Sequence, residues 1–208
     1  MVGAAAAGGL LIRPSRDLEE EETAAIDEVL AECADHARAE VMLKYFDNGR
    51  PTREQCDEVV GTDRRGQPIT RAMKLGVEQH QIALQCAGEQ LSKVRPGCFS
   101  LSPRYRFDES TGTTEYIPRE VVEELLRQGR GGELKGTLEP DIVICEGDPR
   151  RVQDVYDFKF PCKNTSNRVS WREYPDGHPY GGLDQGEMYE KALGIAPARV
   201  QPHLGVQR

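Results

Sequence analysis

The sequence predicts an α/β protein, α+β with a mixed sheet, on the strength of one helical pattern, one pair of strands and the turn between them. From Asp17 to Phe46, apolar residues recur at three- and four-residue steps (Ile26, Val29, Leu30, Ala37, Val41, Leu43), which is the period of a helix with one buried face. Later come two β-rich runs, Glu139-Pro140-Asp141-Ile142-Val143-Ile144 and Val155-Tyr156-Asp157-Phe158-Lys159-Phe160. Gly147-Asp148-Pro149 between them is turn chemistry, so the runs read as a hairpin. A chain of 208 residues has room for one domain with an added helical segment.

Taken in order, residues 1–14 read as a flexible junction. Met1 to Gly9 is small and apolar, too short to span a membrane and without the basic start of a secretory signal, as at the cut end of a longer polypeptide. Residues 15–70 form an N-terminal helical segment. Ser15 or Asp17 is placed to cap its long helix, the acidic run Asp17-Leu18-Glu19-Glu20-Glu21-Glu22 suits the helix dipole, and Asn48-Gly49 supplies a left-handed stop. A polar connection over 47–70, with a short helix at 53–59, leads to a core over 71–208.

The chemistry concentrates in the hairpin. Folded symmetrically about Pro149, it sets Asp141 opposite Asp157, with Cβ atoms about 4.5–5.5 Å apart. Carboxylates that close repel unless a cation lies between them, and a hard divalent ion such as Mg²⁺ (or Mn²⁺) suits oxygen ligands. Strand alternation puts Val155, Asp157 and Lys159 on one face, expected as the site, and Tyr156, Phe158 and Phe160 on the other, expected as core. The Lys159 ammonium then stands where it can hold an attacking water or steady a phosphate.

Pro140-Asp141 followed by Asp157-Phe158-Lys159 resembles the PD-(D/E)XK, or restriction-endonuclease-like, nuclease superfamily. Gln185-Gly186-Glu187-Met188-Tyr189 is similar to the Gln-x-x-x-Tyr helix of its recombination-exonuclease branch, and the four-residue spacing puts Gln185 and Tyr189 on one helix face. Leu75-Gly76-Val77-Glu78-Gln79-His80 resembles the helix that carries the superfamily's first acid, which makes Glu78 the third metal carboxylate, with Glu40 competing. The resemblance implies a restriction-endonuclease-like αβββαβ core with an added N-terminal helical segment: a helix at 72–93, a strand near 103–107, the two catalytic strands, a helix at 184–193 and a strand around Arg199-Val200, with an inserted helix over 119–128. It implies a metal-dependent DNase with Asp141, Asp157, Glu78, Lys159, Gln185 and Tyr189 as site residues.

Twenty-seven basic against 35 acidic residues give a net charge of −8, which excludes a broad non-specific grip on DNA. Contact would fall to a local strip drawn from Arg104, Arg106, Arg150, Arg151, Lys163, Arg168 and Arg172. The cysteines at 33, 56, 86, 98, 145 and 162 show no close-spaced pair and are expected as reduced thiols in a cytosolic setting; members of the resembled superfamily that hold an iron–sulfur cluster place several cysteines beyond the Gln-x-x-x-Tyr helix, and none follows Tyr189 here, so the resemblance implies no cluster. Two residues along a helix turn His80 about 200° from Glu78, which separates their roles. Trp171, Tyr174 and Tyr180 lie in a loop that either packs on the core or faces substrate, stacking on an unpaired base or wedging beside a duplex, and His178 in the same loop is expected to pack there rather than to act in catalysis.

The Lys159-Phe160-Pro161-Cys162 continuation, the Gly181–Tyr189 region and the ending Ala198-Arg199-Val200-Gln201-Pro202 resemble VRR-Nuc-like nuclease domains of bacterial polymorphic toxins and secretion-system effectors. That resemblance implies an antibacterial DNase delivered into a target cell's cytoplasm, with DNA as substrate, a cognate immunity protein, a larger carrier polypeptide and no membrane segment. A repair, recombination or phage-type nuclease and a nuclease-fold interaction module are the alternatives.

Overall fold

The computed structural model describes residues 10–63, 65–163 and 166–208, so the expected junction over Met1 to Gly9 lies outside the described residues. The elements are, in order, β1 (Leu10–Leu11), α1 (Glu20–Phe46), α2 (Arg53–Asp57), β2 (Val59–Thr62), β3 (Pro68–Thr70), α3 (Arg71–Val94), β4 (Phe99–Leu101), β5 (Arg104–Asp108), β6 (Thr113–Ile117), α4 (Arg119–Arg127), β7 (Thr137–Leu138), β8 (Ile142–Cys145), β9 (Val152–Phe158), α5 (Gln185–Leu193), β10 (Ala198–Gln201) and β11 (Gly205–Gln207). Helices and sheets together place the chain in the α+β class. The helices expected over 72–93 and 184–193 are α3 and α5, the inserted helix is α4, and the two strands expected to carry the aspartates are β8 and β9, with Asp141 just ahead of β8.

The chain divides into two compact units that do not follow the boundary expected at residue 70. The first takes residues up to Leu18, Arg95–Asp157 and Trp171–Pro197; the second takes Glu19–Val94, Phe158–Ser170 and Ala198–Arg208. The division falls inside β9, between Asp157 and Phe158.

In the first unit, β8 pairs antiparallel with both β4 and β9. The strand beside the hairpin is therefore β4, not the one expected near 103–107. That stretch is β5, which lies in another sheet of order β1-β6-β5-β7. Residues 10–14 are not a loose junction: β1 pairs with β6, and the Arg13 N–H donates to the Arg150 carbonyl at 2.7 Å. Ser15 does not cap α1; its hydroxyl bonds the Val152 carbonyl. The core of this unit gathers Tyr105, Phe107, Leu138, Val143, Val155, Met188 and Tyr189, so large side chains supply the buried apolar area. Both faces of β9 are buried, which corrects the expectation of one core face and one open face: Val155, on the side of Asp157, is itself core.

In the second unit, α1 begins one residue after Glu19, whose side chain and that of Glu22 form a capping box, and it ends where Asp47 and Asn48 turn left-handed. Its buried face of Ile26, Leu30, Cys33, Ala34, Ala37 and Val41 packs against α3, which buries Leu75, Ala83, Ala87 and Leu91. The polar connection holds an unexpected hairpin, β2 with β3, closed by the Asp63 carboxylate accepting the Arg65 and Gln67 N–H groups at 2.8 Å. Two disulfides, Cys33–Cys86 and Cys56–Cys162, overturn the expectation of six reduced thiols. The pairs stand 53 and 106 residues apart, so only the fold brings them together. Cys98 and Cys145 remain free, and burial pushes the Cys145 thiol up to about 11. Among the described residues no helix is long and apolar enough to cross a membrane.

Candidate functional site

The hairpin register answers whether the two aspartates meet. Ile142 faces Tyr156, Val143 faces Val155 and Ile144 faces Asp154; continued by one residue, the same register sets Asp141 against Asp157. Symmetry about Pro149 is thus the observed register up to Ile144, where an irregularity intervenes before Cys145 faces Val152. The turn is fixed by Gly147 at φ 73° and by the Tyr105 hydroxyl donating to the Pro149 carbonyl at 2.7 Å. At the other end the Ser102 N–H donates to the Asp141 carbonyl at 2.8 Å. A carboxylate oxygen of Asp141 and one of Asp157 lie within 4.8 Å of each other.

Asp157 is 4% exposed, and a charge that buried requires partners. Two come from α5. Gln185 Nε2 donates to Asp157 Oδ2 at 3.1 Å and to the Tyr189 hydroxyl at 2.8 Å, while that hydroxyl donates to the same Oδ2 at 3.3 Å. The geometry follows from how the helix starts. Asp184 caps it, with a capping box to Glu187, so Gln185 is the first helical residue and Tyr189 stands one turn later on the same face. Burial first, and the nearby charge of Asp157 next, holds the Tyr189 phenol well above its ordinary pKa, so it serves as a neutral donor. Gly186, between them, lies against Trp171; a Cβ there would stand 2.5 Å from the indole Nε1. Gln185 and Tyr189, on the one helix face their spacing predicts, therefore position Asp157.

The remaining expected residues belong to the second unit. Lys159, half-buried and just past β9, donates its N–H to the Val200 carbonyl at 2.8 Å. Its segment is tied down further on: the buried Arg38 guanidinium donates to the Pro161 and Cys162 carbonyls at 2.9 and 3.0 Å, and Cys162 carries a disulfide. Glu78 has both carboxylate oxygens engaged, one by the Lys44 ammonium and one by the Tyr45 hydroxyl at 2.9 Å. The Lys44 hydrogen bond, outweighing partial burial, lowers the Glu78 pKa. Glu40 is half exposed and lies beside His36, one turn before it on α1.

The residue of α3 that reaches Phe158 is His80. Its Nε2 lies 2.9 Å from the carbonyl of Phe158, its Nδ1 lies 2.9 Å from that of Gly76, and its ring meets Phe160 edge-on. A neutral imidazole has one N–H and so donates to one of the two carbonyls, according to its tautomer. The half-turn between positions 78 and 80 was the available signal, and it separates them as expected; the sequence does not say which of the two faces the strand. Asp154 is a second residue that sequence reasoning missed. It is 6% exposed and accepts from the Val155 N–H and the Tyr156 hydroxyl, both at 2.8 Å.

Most of the expected basic strip is engaged by acids or carbonyls of its own unit: Arg104 with Glu139, Arg106 with the Glu133 carbonyl, Arg150 with Asp148 and Arg151 with Glu146. Lys163, Arg168 and Arg172 are exposed.

The donor set fits a hard cation. Two oxygens bound to one Mg²⁺ at about 2.1 Å each stand at most about 4.2 Å apart, and for Ca²⁺ at most about 5.2 Å, so a small side-chain adjustment lets Asp141 and Asp157 share an ion. Compared with protein-family models, curated proteins and solved structures, the chain matches none.

Proposed function

We propose that the protein is a metal-dependent phosphodiesterase that hydrolyses DNA, built on a restriction-endonuclease-like core. The observation that carries the reading is the approach of the Asp141 and Asp157 carboxylates to within 4.8 Å at the open end of one hairpin. Both would hold a divalent cation, which when bound supplies Lewis-acid polarisation of a phosphoryl oxygen and a more acidic water. The chain's own residues do the rest. Gln185 and Tyr189 fix Asp157 through Oδ2, so that the carboxylate does not have to reorganise when it is used. Lys159, two residues further along, brings an ammonium to hold the attacking water and steady the phosphate. Glu78, already neutralised by Lys44, is the weaker candidate for a third ligand.

Purified protein with Mg²⁺ or Mn²⁺ should degrade plasmid DNA, and Asp157→Asn and Lys159→Ala should each abolish this while circular dichroism stays unchanged. Intact plasmid with folded wild-type protein overturns the reading; so does full activity in Asp157→Asn.

For the setting we propose a delivered antibacterial effector with a cognate immunity protein. Two disulfides in one unit favour a chain that folds or travels in an oxidising compartment over a resident cytosolic repair nuclease. Expression in a bacterium without a protective partner should be toxic, and harmless expression of active protein favours repair instead.

A further inference from the structure

We infer that the cavity beside Gln185 is a subsite for one unpaired nucleotide of the substrate strand, an inference that rests on the nuclease reading and narrows it to single-stranded or frayed nucleic acid. Arg172, Tyr174, Pro175, His178 and Gln185 line a cavity of about 270 Å³. Gln185 thus belongs to two places at once: its Nε2 holds Asp157, and its side chain helps to wall this cavity. Gln185 thereby links the cavity lining to Asp157.

The backbone builds the site. Glu173 bridges to Asp184 antiparallel, the Gln185 N–H donates to the Arg172 carbonyl at 2.9 Å, and the Tyr174 N–H donates to the Leu183 carbonyl at 3.1 Å. Strand alternation then sends Arg172 and Tyr174 to one side and Glu173 to the other. The Tyr174 and His178 rings stack at 4.6 Å with 18° between their planes, and Tyr180 meets both from the side. His178 Nδ1 accepts the Tyr180 N–H at 3.1 Å, which fixes the imidazole against the tyrosine. The Tyr174–His178 stack is an aromatic surface held by the loop's own packing.

Arg172 is exposed and, among the described residues, has no ion-pair partner, in contrast to Arg104, Arg150 and Arg151. In a chain with a net charge of −8, an uncommitted guanidinium beside an aromatic platform and a carboxamide is the donor set for a base, its phosphate and a polar base edge. A cavity of about 270 Å³ has room for a single ring system with its sugar, and stacking on an aromatic ring needs a base whose own face is free.

The test is fluorescence anisotropy with a short fluorescein-labelled oligothymidylate and, separately, a labelled duplex of the same length, both in EDTA so that binding is read without hydrolysis. Tyr174→Ala should lose about tenfold or more in affinity for the single strand, as expected for removing one stacked base, and Arg172→Ala should weaken it and flatten its salt dependence. Duplex binding should not change. Because Tyr174 also packs on the core, Tyr174→Phe serves as the control: it keeps the platform and should bind the single strand as wild type does. Wild-type affinity for the single strand in both Tyr174→Ala and Arg172→Ala overturns the subsite, as does an equal loss on single strand and duplex. Cleavage of plasmid by wild type with no Tyr174 dependence of binding leaves the nuclease and removes the subsite; Tyr174-dependent binding by a protein that cuts nothing removes the nuclease and leaves the subsite.

Discussion

The two units solve the same packing problem by different means. The first buries Tyr105, Phe107, Leu138, Val143, Met188 and Tyr189 and keeps its two cysteines, Cys98 and Cys145, as thiols. The second packs α1 on α3 with Ala34, Ala37, Ala83 and Ala87 interspersed among Ile26, Leu30, Val41, Leu75 and Leu91, and carries both disulfides, with Cys33–Cys86 joining those two helices. Alanine buries little apolar area, so close helix packing there yields less stabilisation per residue than the large side chains of the first unit. Covalent closure of long loops offsets that deficit, by roughly 2–4 kcal/mol for each bridge. In the first unit the aspartate pair is held by packing and hydrogen bonds, whereas in the second the segment after Lys159 is held by a disulfide at Cys162 and by Arg38.

The largest expected effect comes from breaking the packing side of this comparison. Leu138→Ala removes a side chain that is 1% exposed, and urea denaturation should show a loss of about 2–5 kcal/mol. A loss below about 1 kcal/mol would mean that the first unit does not depend on its large side chains. Next is reduction with dithiothreitol, which should lower the stability of the second unit by roughly 2–4 kcal/mol per bridge. The far-ultraviolet helix signal, dominated by α1 and α3, should then melt earlier than the emission of Trp171, the chain's one tryptophan, which reports the first unit. Simultaneous melting would erase the distinction. Peptide mapping without reductant should recover Cys33 linked to Cys86 and Cys56 linked to Cys162.

A smaller effect sharpens the same contrast within the first unit. Gly186→Ala sets a methyl against the rigid Trp171 indole and should cost about 1–3 kcal/mol, with a shift in Trp171 emission. The smallest is at the hairpin tip, where the Arg150 guanidinium lowers the Asp148 carboxyl to about 2. An unfolded aspartate titrates at about 3.9, so this contribution is complete above about pH 4 and is lost as pH falls toward 2. On a partly exposed pair it is worth under about 1 kcal/mol, and Asp148→Asn should remove the acid-dependent part alone. An unchanged stability–pH slope in that variant would contradict it.

What was legible in the sequence was local. The turn at Gly147-Asp148-Pro149 and the alternation beyond it gave the register that faces Asp141 with Asp157, because hairpin pairing depends on nearby residues. The Asp184 cap and the Gln185–Tyr189 spacing likewise lie within one helix. What failed to show was non-local. Disulfide connectivity is not written in spacing, so six scattered cysteines looked like thiols. The side of α3 that meets a given strand depends on packing, so Glu78 was preferred where His80 is the residue that reaches Phe158. Leu10–Leu11 reads as loose chain until its partner Tyr116 is known, and β2 and β3 are too short and polar to stand out.

The most direct measurement is isothermal titration calorimetry of Mn²⁺ into the wild-type protein and into Asp157→Asn, each checked for fold by circular dichroism. If Asp141 and Asp157 share an ion, the wild type binds Mn²⁺ at one strong site and the folded variant loses that site. Equal stoichiometry and affinity in the two proteins, or no Mn²⁺ binding by folded wild type, would contradict the account.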